Sequence, residues 1–156
     1  MKEFSFLLVA LTSWISNCAF ASPFQKSAQI NQFNLQPDSE VLIALTEVDI
    51  AGTNADRSTF WDRVSSVRND LKNRPGFLGA SIRKEVFGSR AWTMTVWTNE
   101  EALEDFVYAK EHERAMKEGA PAVRKGTFYR GKKKWKEIPI AWEEAERLLS
   151  EEGRTE

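Results

Sequence analysis

The sequence is poor in the residues on which much enzyme chemistry depends. It holds one Cys and one His in 156 residues, which excludes an intramolecular disulfide framework and any zinc site built from several thiolates and imidazoles. Five Pro and eight Gly are too few for a collagen-like or low-complexity chain. Neither sign of charge dominates: 22 Lys plus Arg stand against 23 Asp plus Glu, a net charge of −1, so no nucleic-acid partner is expected. There is no phosphate-cradling Gly loop and no Gly-x-Ser-x-Gly elbow. What is present, 42% hydrophobic and 29% charged residues, suits one globular domain with a single core.

The longest apolar stretch, Phe4 to Ile15, follows Lys2 and ends at Ala19-Phe20-Ala21, a small-x-small pattern. The expectation is a secretory signal over residues 1–21, cut after Ala21 to give a secreted or periplasmic protein. The stretch falls short of the ~20 residues that span a bilayer, so no stable membrane span is expected. A lipid anchor on Cys18 and an uncleaved signal anchor are the alternatives. Residues 22–39, rich in Gln, Asn and Ser, lack either period and read as a mobile leader. The domain is expected over residues 40–136, and residues 137–156 as an acidic helix and tail.

Val41 to Val48 is a nearly continuous apolar run that suits a central strand. Phe60, Val64, Val67 and Leu71 recur at helical spacing, predicting an amphipathic helix over 58–73 with Ser58 as its cap. Phe77 to Val86 and Ala91 to Thr98 flank a Gly-containing loop and predict an antiparallel hairpin. Period two puts Trp92, Met94 and Val96 on one face of the second strand, and Thr93, Thr95 and Trp97 on the other. Thr98-Asn99-Glu100-Glu101 reads as a capping box that opens one helix running to Gly119. Gly126 to Tyr129 supplies a last short strand, and Trp142, Ala145, Leu148 and Leu149 outline a closing helix.

The order β-α-β-β-α-β defines an α+β, ferredoxin-like fold: a four-stranded antiparallel sheet with two helices on one face, plus the C-terminal helix. Its other face is expected to be bare and apolar, and therefore covered by a second copy in a homodimer.

Arg74-Pro75-Gly76-Phe77-Leu78-Gly79, Trp92 to Trp97 leading into Asn99-Glu100-Glu101-Ala102-Leu103, then Phe106 and Lys110-Glu111-His112 with Met116 resemble the antibiotic-biosynthesis-monooxygenase (ABM) group of the dimeric α/β-barrel superfamily. The likeness runs from Val41 to Tyr129. It implies a homodimeric barrel with an apolar pocket between sheet and helices in each protomer. Several members of that group oxidise aromatic polyketides with dioxygen and neither metal nor flavin, so the expected cofactor is none and the expected ligand is a small apolar aromatic molecule. Haem-cleaving relatives carry an Asn on the first strand and a Trp on the second helix. Neither stands at the matching positions here, which argues against haem degradation.

Cofactor-free oxygenation requires one base, aromatic walls and exclusion of water. His112, the sole imidazole, matches the His that many members of the group carry in this helix, and is the expected base; a packed helix residue bonded to a neighbour is the alternative. Trp61, Trp92, Trp97, Phe106, Tyr108 and Met116 are the expected pocket residues, with core packing open to each Trp. An enzyme is one reading of the chain; a non-catalytic dimeric binding or assembly protein of the same fold is the other. Arg124 to Lys136 holds seven Lys or Arg and no acid. The acidic tail after Glu137, or solvent, is expected to neutralise it.

Overall fold

The computed structural model describes residues 18–155. The signal-peptide reading therefore falls largely on residues 1–17, outside the described residues. Among the described residues seven strands form one antiparallel sheet: β1 (Ala19–Ala21), β2 (Gln25–Lys26), β3 (Glu40–Ile50), β4 (Phe77–Glu85), β5 (Arg90–Trp97), β6 (Val123–Lys134) and β7 (Arg154–Thr155). Four helices accompany them: α1 (Asn54–Leu71), α2 (Glu100–Val107), α3 (Lys110–Gly119) and α4 (Trp142–Glu152).

The four long strands lie in the order β4-β5-β3-β6, the ferredoxin-like arrangement. The expected count of four is corrected to seven. Short strands extend both edges, β1 and β2 on β4 and β7 on β6. The expected last strand of four residues is in fact twelve, because its alternating Lys and Arg (Arg130, Lys132, Lys134) hide the period in charge while the backbone pairs with β3 from Glu40 to Ile50.

α1 begins four residues before the expected cap. Thr53 rather than Ser58 closes it: the Asp56 amide donates to the Thr53 hydroxyl at 3.2 Å, and the Thr53 amide to the Asp56 carboxylate at 2.9 Å. The second helix starts one residue later than expected, with Asn99 accepting from the Ala102 amide at 2.9 Å, and it is two helices. The chain turns extended at Ala109, φ −70° and ψ 141°, so α3 starts afresh. Gly76 makes the entry to β4 possible. Its φ of +75° is left-handed, and a Cβ there would lie 2.5 Å from that of Ala102 and 2.6 Å from the Thr98 hydroxyl.

The sheet separates two apolar layers. One holds Leu42, Phe77, Trp97, Leu71, Leu103 and Phe106, beneath α1 and α2. The other holds Val41, Ile43, Leu45, Trp92, Met94 and Val96, packed with Ala145, Leu148 and Leu149 of α4. The face expected to be bare is thus covered by the chain's own last helix. Phe24, Ile30, Phe33 and Leu35, from the segment read as a leader, pack against the same layer. Phe24 reaches β4 because Gly79 has no side chain; a Cβ there would meet its ring at 2.5 Å. The apolar surface that motivated a face-to-face dimer is spent within one chain.

The basic stretch of β6 is neutralised by several elements, not by the acidic tail alone. Arg130 pairs with Glu100 at 2.8 Å and with Glu104, Lys132 with Glu40 at 2.7 Å, and Lys136 with Asp38 at 2.7 Å. Only Lys133, bonded to Glu144 at 2.5 Å, reaches α4.

Candidate functional site

α1, α2 and α3 stand off the sheet and leave between them a cavity of about 1190 Å³, open at one side. Its helical wall is the stripe Phe60, Val64, Val67 and Leu71; its floor includes Ala44, Thr46, Thr93 and Thr95. Val64 and Val67 are only half-buried, because they face this space and not a packed neighbour. α1 and α3 are tied together by Arg63 and Glu118 at 3.1 Å.

Of the residues expected in the pocket, four line the cavity: Phe106, Tyr108, His112 and Met116. Phe106 is buried, while Tyr108 and Met116 are 70% and 52% exposed and stand at the mouth. The three Trp do not line it. Trp97 is fully buried behind Phe106, with its indole N–H donating to the Thr95 hydroxyl at 2.9 Å. Trp92 lies on the opposite face of the sheet and donates to Glu47 at 2.9 Å. The Arg83 and Arg90 guanidinium groups each lie 5.1 Å from its ring. Trp61 sits edge-on to Phe60 at 5.2 Å, under the Lys84 ammonium and outside the cavity. Core packing claims the large rings of Trp92 and Trp97.

His112 is held by the break between the two helices. With Ala109 extended, the carbonyl of Val107 has no helical partner, and His112 Nδ1 lies 2.9 Å from it. A carbonyl oxygen only accepts, so Nδ1 carries the proton and Nε2 is left with a free lone pair. The ring packs on Phe106, centroids 4.6 Å apart. Burial pushes the His112 pKa below its ordinary value, and nearby Arg74 pushes the same way. The Val107 carbonyl, Asp70 and Glu113 oppose them in part. The imidazole is therefore neutral at pH 7, in the form that can take a proton.

Sequence reasoning read the α1 stripe as the apolar face of an amphipathic helix and did not name it as a cavity wall, which it forms in the structure. It also passed over Thr93 and Thr95, although two Thr on the face shared with Trp97 were a legible sign of a less tightly packed surface. Arg130 and its partners Glu100 and Glu104 stand at the other end of the cavity; capping alone had been the expectation for the carboxylate of Glu100. Among the described residues no group of three or more His, Cys, Asp or Glu could hold a metal ion, and no helix is long and apolar enough to cross a membrane.

A family model described as "Domain of unknown function (DUF3291)" matches residues 43–134, from β3 to the end of β6. No curated protein matches the chain. Among solved structures, a candidate monooxygenase from Fusobacterium nucleatum superposes with a TM-score of 0.52 at 8% identity, over 70% of this chain and 45% of its own. A candidate antibiotic biosynthesis monooxygenase from Nitrosomonas europaea gives 0.51 at 7% identity, over 69% and 97%. A candidate monooxygenase from Lactobacillus acidophilus gives 0.49 at 17% identity, over 63% and 44%. The chain thus spans less than half the length of the Fusobacterium and Lactobacillus proteins. What the Fusobacterium and Nitrosomonas structures share with this chain is the ABM-like fold.

Proposed function

We propose, on the premise that the chain belongs to the DUF3291 family and carries an ABM-like fold, that it oxidises a small aromatic, polyketide-like substrate with dioxygen and without a cofactor. The observation that carries this reading is His112: a half-buried, neutral imidazole whose Nδ1 is occupied by Val107 and whose ring borders an apolar cavity.

The chemistry follows from what such a substrate can do for itself. Nε2 of His112 takes a proton from the activated ring methylene of a phenolic ketone, which leaves an enolate delocalised over the ring as a phenolate. The resulting anion, held among Phe106, Val64, Val67 and Leu71 away from bulk water, passes one electron to dioxygen. The substrate radical and superoxide join at the methylene carbon, and protonation gives a hydroperoxide. Loss of water leaves a ketone, so one oxygen atom enters the product and the other leaves as water. Water exclusion protects the anion from reprotonation and the radical pair from escape. The protein supplies the base, the orientation and the dry wall; a volume of about 1190 Å³ leaves room for a multi-ring substrate together with oxygen.

The cap that His112 makes to α2 also favours a second reading, in which the imidazole is structural and the fold binds an aromatic ligand without changing it. One experiment separates the two. The purified protein is titrated with hydroxylated aromatics, binding is followed by ligand fluorescence, and oxygen consumption is recorded in the same cell. Saturable binding with stoichiometric oxygen uptake supports the oxygenase. Binding without uptake leaves only the binding protein, and no binding removes the cavity from both.

A further inference from the structure

We propose that the tip of the β4–β5 hairpin, with Phe20 and Trp61 beside it, is a membrane-facing surface that seats the domain on a phospholipid bilayer. Among the described residues, three of the five large apolar side chains left exposed gather at this one corner: Phe87 is 94% exposed, Phe20 63% and Val86 53%. The remaining two, Tyr108 and Met116, belong to the mouth of the cavity. Phe87 stands in the loop between β4 and β5, where almost the whole ring is left in water. β1 brings Phe20 alongside, paired with Lys84, and the Val86 amide donates to the Cys18 carbonyl at 2.9 Å.

The chemistry next to this corner is that of a bilayer interface. Phe20, Trp61, Ile82 and Lys84 share a shallow recess of about 190 Å³, and the Lys84 ammonium lies 5.3 Å from the Trp61 ring. Aromatic rings with a Lys beside them are the side chains that settle at the level of lipid headgroups, while fully apolar ones go deeper. A lipid surface, and not a protein, is singled out by the sequence that leads into the corner. The largely apolar stretch Phe4 to Ile15, nine of whose twelve residues are apolar, is separated only by Ser16 and Asn17 from Cys18, whose carbonyl accepts from the Val86 amide. Whatever draws that stretch into lipid delivers the hairpin tip to the same surface. The proposal requires that Ala19–Ala21 stay with the protein as β1, so it is incompatible with cleavage after Ala21. It is independent of the chemistry assigned to the cavity.

The test uses the full chain with Cys18→Ser, a single Cys introduced as Phe87→Cys, and an environment-sensitive fluorophore on it. The protein is reconstituted with vesicles of phosphatidylcholine and phosphatidylglycerol. A second label at Lys132→Cys serves as the reference: Lys132 pairs with Leu42, six residues along β3 from the hairpin end and thus about 20 Å away. The label at position 87 should brighten several-fold, shift to the blue and be quenched by nitroxide-bearing lipids, while the label at 132 stays in water. Adding Val86→Asp should return the label at 87 to water with far-UV circular dichroism unchanged. Equal water exposure at 87 and 132 overturns the proposal, as does a shift that survives Val86→Asp. A shift that grows with protein concentration and needs no vesicles would make the tip a contact between copies instead. Recovery of a chain beginning at Ser22 from native membranes would also overturn it.

Discussion

Trp97 lies against the back of Phe106, their ring centroids 5.1 Å apart and their planes 29° from parallel. Since Phe106 meets the His112 ring at 4.6 Å, an indole that never touches the cavity fixes the imidazole through a single intermediate ring. Replacing Trp97 by Leu should cost about 2–4 kcal/mol of stability through lost packing. It should also let water reach His112, so that the histidine pKa rises back toward its ordinary value. The chain has one His, so one imidazole resonance followed by NMR against pH reads the change without assignment. An unmoved pKa would show that Phe106 holds the ring by itself.

His112→Asn and His112→Ala should part company. Asn keeps a donor where Nδ1 stands and can still close α2 on the Val107 carbonyl, whereas Ala loses that bond, worth about 1 kcal/mol, or roughly 2–4 °C in melting temperature for a chain of this size. If His112 is the base, both variants lose turnover by roughly 100- to 10,000-fold. Normal turnover in a folded Asn variant would restrict His112 to its capping role.

The pH dependence has a definite sign. Burial lowers the His112 pKa in the folded protein, so the folded state prefers the neutral ring and the unfolded state binds the proton more tightly. The corresponding stability is fully present above the unfolded value of about 6.5 and is lost as pH falls through the lower folded value. Urea denaturation between pH ~7.5 and ~5 should show declining stability that flattens in His112→Asn. The acid limb of any turnover profile should fall below 6.5 for the same reason.

Gly76→Ala should be among the most harmful single-methyl changes. Left-handed strain alone costs about 1–3 kcal/mol in a non-Gly residue, and the added carbon would also meet Ala102 and Thr98 at 2.5 and 2.6 Å. Thermal unfolding is the measurement. A loss smaller than about 1 kcal/mol would mean that the start of α2 yields to the methyl group.

Removing residues 141–156 should uncover Val41, Ile43, Met94 and Val96, which α4 now covers. The shortened chain should aggregate or pair through that face, as sedimentation would show. A soluble, folded monomer would mean that Phe24, Ile30, Phe33 and Leu35 suffice as cover.

The central sheet was readable because β3 is written as a nearly continuous apolar run and β5 writes its two faces as alternation: Trp92, Met94 and Val96 against Thr93, Thr95 and Trp97. Apolar spacing likewise announced α1 and α4. It could not say which face of the sheet α4 would choose, because Ala145, Leu148 and Leu149 identify a buried stripe without naming its partner. The break at Ala109 was hidden because no Pro or Gly marks it; a histidine bond to a carbonyl replaces a lost turn. The packing of Phe24 to Leu35 was hidden because those residues follow the contour of the sheet and not the period of a helix or strand. His112 and its neighbours were legible as types, while the cavity beside them was not: Phe60, Val64 and Val67 are written identically whether they face a core or a void.

The sheet begins and ends its order with the first and last described strands, β1 on β4 and β7 on β6. Load applied between Ala19 and Thr155 would therefore pull across the sheet, through about five inter-strand spacings of ~4.8 Å each. The bonds at each edge would open in succession and not shear together. Three residues on one side and two on the other would yield first, while β5, β3 and β6, paired along most of their length, kept the cavity closed to the strain.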